Sequence, residues 1–264
     1  MTVSNKSRSP SDISIGLINR LVPVVSVICG VLFWEALSWR ALPLFLPSPK
    51  ATAQAFVELW SDGTLPAAVI ASLKRVAIGW ALGVGFGVPI GIVMGSNPSV
   101  RRFLDPYIDF FRFIPPIAFV TLAIIWLGAG EASKIGLIFY ATIFVVIVSM
   151  IAGVQSVNES RIRAAATLGA GRLRTLLTVV VPSTVPAMIT ASRVAMGNSF
   201  LTVISAEIVS AQEGVGALIW TARNYGRTDW VFVGIIVLGV LGFTCDRILR
   251  LAAARFLKRY DVKT

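Results

Sequence analysis

Histidine is absent from all 264 residues, which removes imidazole metal sites and the commonest acid–base catalyst. Cysteine occurs twice. Cys29 and Cys245 lie in apolar runs without metal-ligand spacing, so both read as packing residues and no metal ligands are assigned. Charged residues are only 14% of the chain, well below an ordinary soluble domain. No GxxxxGK[ST] string occurs; GAGEASK at 128–134 lacks the spacing, so this polypeptide is not expected to hydrolyse nucleotide. An integral-membrane enzyme is disfavoured as well, because no nucleophile–base or metal constellation is visible.

What the chain has in quantity is apolar length. Hydrophobic residues make up 56% of it, and six runs, 21–39, 76–94, 107–127, 135–154, 185–209 and 230–249, match or approach the ~20 apolar residues that a helix needs to cross a bilayer. The expected class is an all-α integral membrane protein with six transmembrane helices. The first run is too long, and lacks the small-residue pattern, of a removable signal, so it is expected to persist. Residues 1–19, polar and serine-rich, read as a tail without regular structure, 20–255 as one transmembrane domain, and 256–264 as a basic tail.

The formal charge is +11, from 24 basic and 13 acidic residues. With a cytoplasmic N-terminus, fifteen of the 24 fall on the inner side and seven on the outer. That split obeys the positive-inside rule, predicts cytoplasmic termini, and explains the basic excess without nucleic acid.

Along the chain, Glu35 in the first run is an ionisable residue in an apolar setting. It is either functional or, lying one turn from Trp39 and Arg40, a paired carboxylate near the interface. Ala53, Phe56, Val57 and Trp60 repeat at helical spacing and predict a short helix on the outer membrane surface or against the bundle. In the second run Gly79, Gly83, Gly87, Gly91 and Gly95 form a ridge of overlapping GxxxG repeats. Such a ridge admits a neighbouring helix at backbone distance, within the chain or across a dimer.

Asp109 and Arg112 can pair at i, i+3 in the third run, and Arg112 is expected, with the prolines that follow, to line a pathway. Pro115 and Pro116 then break the helix, giving either a bent helix lining a pathway or a kinked core helix. The fifth run is the most polar, with Arg193, Asn198, Ser199, Thr202, Ser205 and Glu207. It is expected to line polar space or to hydrogen-bond other helices, and Arg193 could equally anchor lipid or a carboxylate.

Residues 161–182, RIRAAATLGAGRLRTLLTVVVP, lie between the fourth and fifth runs. Ile162, Ala165, Ala166 and Gly169 form one helical face; Leu173, Leu176, Leu177 and Val180 form another, with Gly169-Ala170-Gly171 as the turn. This pair of half-helices would dock a partner or lie in the interface with its arginines on lipid phosphates.

Ala164-Ala165, Gly169 four residues later, then Val179, Val181 and Pro182 resemble the EAA---G---------I-LP pattern of the membrane subunits of bacterial ABC importers, with Arg163 where the pattern has glutamate. An arginine there resembles the nitrate/sulfonate/taurine/bicarbonate branch. LPSP at 46–49, SLKR at 72–75, LDP at 104–106, PPIA at 115–118, GAGEASK at 128–134 and AEI at 206–208 are similar to that branch too. The resemblance implies a type I importer permease in the bacterial inner membrane, paired with a second copy of itself. It implies two cytoplasmic ATPase subunits holding ATP and Mg, an external solute-binding protein, and no cofactor on this chain. Arg161, Arg163, Ala164, Ala165, Gly169, Ala170, Arg172 and Pro182 would then couple to the ATPase. The solute would be a small anion, taurine or another sulfonate first, then nitrate, bicarbonate, an aromatic carboxylate or a vitamin precursor. The competing reading is a stand-alone secondary transporter, which would need two related halves or coupling carboxylates. No internal repeat is visible, and Glu35 and Glu207 are the only candidates for coupling.

Overall fold

The computed structural model describes residues 10–210 and 212–257, with side chains over 22–208 and 212–255. All regular elements among them are helical: α1 Pro10–Ser38, α2 Pro49–Ser61, α3 Thr64–Ser96, α4 Pro98–Arg112, a 3-10 turn Pro116–Phe119, α5 Val120–Leu127, α6 Glu131–Gln155, α7 Glu159–Thr167, α8 Arg172–Thr175, a π turn Leu176–Val180, α9 Val181–Ser210, α10 Val215–Asn224 and α11 Thr228–Leu257. Thr64–Ser96, Glu131–Gln155, Arg172–Ile208 and Thr228–Arg255 are long and apolar enough to cross a membrane. Pro98–Arg112 and Pro116–Leu127, bent against each other, are apolar enough to count as a fifth if they form one broken span, and α1 adds the shorter apolar stretch Val22–Ser38.

Several boundaries differ from those expected. Residues 10–19 are helical and continue into α1, so the predicted structureless tail is corrected there; residues 1–9 and 258–264 lie outside the described residues. The second span starts three turns early, because the polar segment with Ser72, Lys74 and Arg75 is already helix. Between the fifth and last apolar runs the chain forms a further helix, α10. The third span is broken by 89°. Its first part, α4, starts at Pro98 under an Asn97 cap that accepts from the Ser99 and Val100 amides.

The centre is α3, α6 and α9. The glycine ridge of α3 faces α6 along its length: Gly79 lies against Ile138, Gly83 against Thr142, Gly87 against Val146, Gly91 against Met150 and Gly95 against Val154. A Cβ built on Gly83 would stand 2.5 Å from the Thr142 Cβ, so only glycine permits this approach. Trp80 donates to the Ser192 carbonyl at 2.8 Å, fixing α3 against α9.

α2 packs with its small side out of view: Thr52, Ala55 and Leu59 are buried, while Phe56, Val57 and Trp60 are exposed. In water that arrangement would be inverted; beside lipid it is favourable, since apolar surface loses nothing by staying outside. Arg227 ties α2 to the start of α11 through Glu58 at 2.7 Å and Asp229 at 2.9 Å. The Arg227 hydrogen bond, with one from Trp230, holds the Glu58 carboxyl below the usual carboxylate range.

Candidate functional site

At one end of the bundle the 161–182 segment forms a capped helix and a groove. The Asn158 side chain accepts from the Ser160 amide at 2.8 Å and starts α7. Its end is a Schellman motif: the Ala170 amide donates to the Ala165 carbonyl and the Gly169 amide to the Ala166 carbonyl, both at 3.0 Å, with Gly169 at φ +77. The backbone thus favours glycine at 169, and a Cβ there would meet nothing within 4 Å.

Arg161, Ala164, Ala165, Leu168, Val179 and Pro182 line a groove of about 670 Å³ between α7 and the start of α9. Arg163 points outward and pairs with Glu159 at 2.9 Å; Arg172 is exposed at the start of α8 and Ala170 half-buried beside it. Two expectations are corrected. Ile162 turns into the bundle against the cluster of Val157 and Val180 rather than outward. The second half-helix is not separate, because Leu173–Val180 runs through the π turn into α9.

Halfway along α6 the break in the third span opens a second cavity, of about 440 Å³, which gathers four predicted pathway residues, Arg112, Pro115, Pro116 and Asn198. Tyr140 donates to the carbonyls of Phe111 at 2.5 Å and Ile114 at 3.3 Å, so carbonyls freed by the prolines are satisfied by protein. Arg112 pairs with Asp109 at 3.1 Å, the i, i+3 partner.

The other predicted pathway residues do not line that cavity. Ser199, fully buried, shares a hydrogen bond with Thr142 at 2.9 Å, and Thr202 bonds back to the Asn198 carbonyl at 2.9 Å. Ser205 is half-buried on α9. Arg193 makes a two-pronged bond to Asp246 of α11, at 2.8 and 3.2 Å, and is an anchor between helices. Glu207 has no exposed surface at all. Of the two roles expected for this helix, lining polar space or bonding other helices, its contacts are of the second kind.

Glu207 instead centres a cluster at the opposite end from α7. The Ser72 hydroxyl donates to its carboxylate at 2.8 and 2.9 Å, Arg75 at 2.6 Å and the Gly216 amide at 2.8 Å. Arg75, only 3% exposed, also forks onto Glu131 at 2.6 and 2.8 Å and donates to the Glu213 carbonyl at 2.6 Å. Lys134, buried in the first turn of α6, reaches Glu131 at 3.0 Å. Gly214 sits at φ +128 with no room for a Cβ beside the Glu207 carboxylate and Arg75.

Three strings noted separately in the sequence, SLKR, GAGEASK and AEI, therefore meet in one place. The signal that could have joined them is a lone intramembrane carboxylate at Glu207, which demands a distant cation. Among the described residues no buried side-chain polar atom lacks a partner.

A chain so built resembles known transport subunits over most of its length. It is 39% identical over 213 residues to the taurine transport system permease protein of Escherichia coli (strain K12), covering 79% of this chain and 78% of that one. It is 32% identical to the putative aliphatic sulfonates transport permease protein of Bacillus subtilis (strain 168), covering 81% and 77%. Its fold matches a chain of the MetNI methionine ABC transporter in inward-facing conformation with a TM-score of 0.60 at 17% identity, over 70% of this chain and 94% of that one. The family model described as "Binding-protein-dependent transport system inner membrane component" matches residues 87–258. That stretch holds the helix break, α7 and its groove, and the Glu131 and Glu207 parts of the buried cluster, and with it the chain belongs to the family of ABC transporter permeases.

Proposed function

We infer that the chain, paired with a second copy, forms the translocation pathway of an ATP-driven importer for a small anionic solute, taurine or another sulfonate in the first instance. α7 is the coupling helix. ATP and Mg belong to two cytoplasmic ATPase subunits, an external binding protein delivers the solute, and both termini are cytoplasmic. Residues 20–255 are the permease domain. The solute class rests on the taurine and sulfonate permeases that the chain resembles.

The observation that carries the reading is α7: nine residues, capped at both ends, with Ala164, Ala165 and Leu168 on the rim of an open groove and only its Ile162 side held by the bundle. A short rigid helix of this kind moves as one body and passes displacement on without shearing. Arg163 carries the opposite sign to the general family pattern; its exposed pairing with Glu159 offsets one charge, and Arg161 leaves that end of α7 positive.

The test is reconstitution. Purified chain is placed in liposomes with and without a cognate ABC ATPase, and taurine uptake is measured with ATP inside and binding protein outside. Uptake that needs the ATPase and ATP is expected; uptake by the chain alone would overturn the proposal in favour of a stand-alone transporter.

A further inference from the structure

The cavity at the break of the third span has a chemistry that transport alone does not specify. It lies beside Tyr140 and Phe144, in the middle turns of the 25-residue α6. Its walls are aromatic and apolar: Phe113, Tyr140 and Phe144 with Pro115, the Tyr140 and Phe144 rings set edge to face at 5.1 Å. Few polar groups reach it. The Ser149 hydroxyl is committed to the Val145 carbonyl at 2.7 Å. One Asn198 N–H is committed to the Ala141 carbonyl at 2.7 Å, which orients the rest of that amide.

Arg112 is the cation. Its Nε faces Asp109 at 3.1 Å and its guanidinium lies 4.7 Å over the Phe113 ring. Among the described residues its two terminal nitrogens have no hydrogen-bond partner. Arg112 and Asp109 have 36% and 62% of their side chains exposed, so the guanidinium is open to whatever fills the cavity. A guanidinium fork takes two oxygens of one oxyanion at once. A bare inorganic anion would leave the rings uncovered, whereas an organic anion places its head on the fork and its body on the rings.

The geometry points to a solute subsite in the permease itself: Arg112 with Phe113, Tyr140, Phe144 and Asn198 binds an organic oxyanion with a short apolar body in preference to inorganic anions. This rests on the transport reading above and extends it, because it places part of the selection within the membrane.

The test is calorimetric binding to the purified chain in lipid nanodiscs, without binding protein. Methane-, butane- and hexanesulfonate are compared with butyrate, nitrate and bicarbonate. Affinity is expected to rise by about fourfold per buried methylene, with nitrate and bicarbonate at least about tenfold weaker than butanesulfonate. Butyrate measured against butanesulfonate separates a carboxylate from a sulfonate preference. Arg112→Gln should weaken butanesulfonate about tenfold or more, equivalent to 1.4 kcal/mol. Arg112→Lys should restore part of the loss, and Phe144→Leu should flatten the chain-length dependence.

Nitrate binding as tightly as butanesulfonate, no saturable binding, or Arg112→Gln binding like wild type would each overturn the subsite. ATP-driven uptake is measured on the same protein. Uptake that needs ATP without any binding to the chain removes the subsite alone; binding that persists while uptake ignores the ATPase removes the importer reading alone.

Discussion

The two ends of the helical core handle charge in opposite ways. At the Glu207 end three of the four ions are buried, Arg75 at 3%, Lys134 at 4% and Glu207 at 0% exposure, and only their partner Glu131 reaches the surface. At the α7 end the pair Arg163–Glu159 leaves 75% and 81% of its side chains in the open, and Leu168 is 88% exposed. An exposed pair contributes little to stability, whereas breaking a buried one strands an uncompensated charge. One end is therefore locked by a buried network whose members satisfy one another, and the other is held chiefly by Ile162 and Val180 and is free to adapt. A membrane subunit moved from one side needs such an asymmetry: a fixed end to react against and a yielding end to be pushed.

The largest way to break the comparison is to remove the centre of the locked end. Glu207→Leu leaves the Ser72 hydroxyl, the Gly216 amide and one arm of Arg75 without their acceptor. A loss of about 3–5 kcal/mol is expected, read as a large fall in thermal unfolding temperature in detergent, with Arg75→Leu added to Glu207→Leu restoring part of it. A variant as stable as wild type would show that the cluster is not a lock.

The glycine ridge offers a sharper version, because it runs from one end to the other with matched contacts. A Cβ at Gly79 would stand 2.7 Å from the Ile138 Cβ, and one at Gly95 also 2.7 Å from the Val154 Cβ. Overpacking of this kind costs about 1–3 kcal/mol. Gly79→Ala, near the locked end, should sit at the top of that range and Gly95→Ala at the bottom, since α3 ends at Ser96 and can move away there. Equal losses in paired unfolding measurements would mean that the two ends are equally stiff.

At the yielding end the cost should appear in function more than in stability. Gly169→Ala meets no atom but must adopt φ +77, a local penalty of about 1–2 kcal/mol for an L residue. The unfolding temperature should stay near wild type while ATP-driven uptake falls, and Gly169→Asn, which tolerates that conformation better, should recover uptake. If Gly169→Ala transports normally, α7 is not the coupling element.

What could be read from residues alone follows how local each feature is. The glycine ridge and the Pro115-Pro116 break have short periods or single causes, and both are visible in the string. The α7 turn is equally local, since Gly169 is the residue that a left-handed cap needs. The Glu207 cluster is the opposite case: Ser72 and Arg75 lie 135 and 132 residues away in sequence, so each motif could be seen but not their meeting. Faces of helices were the other blind spot. In lipid, apolar side chains such as Phe56 and Trp60 can point outward while Ala55 and the glycines pack inward, so an apolar stripe does not say which side is the core.

Arg193 gives the smallest expected effect and lies between the two regimes. Its pair with Asp246 is 30% and 34% exposed, intermediate between the Arg75 and Arg163 pairs, and Arg250 stands 3.6 Å from the same carboxylate. Loss of Arg193 would therefore leave Asp246 with a second cation. Arg193→Gln should cost no more than about 1 kcal/mol, the range of partly solvated ion pairs, and should leave the KM for taurine uptake unchanged, because the side chain is directed at α11 and not at the Arg112 cavity. Asp246→Asn should behave alike, and the double variant should lose no more than either single one, as for partners in one contact. A raised KM with an unchanged unfolding temperature would return Arg193 to the pathway and shift the boundary between locked and yielding ends toward the middle of α9.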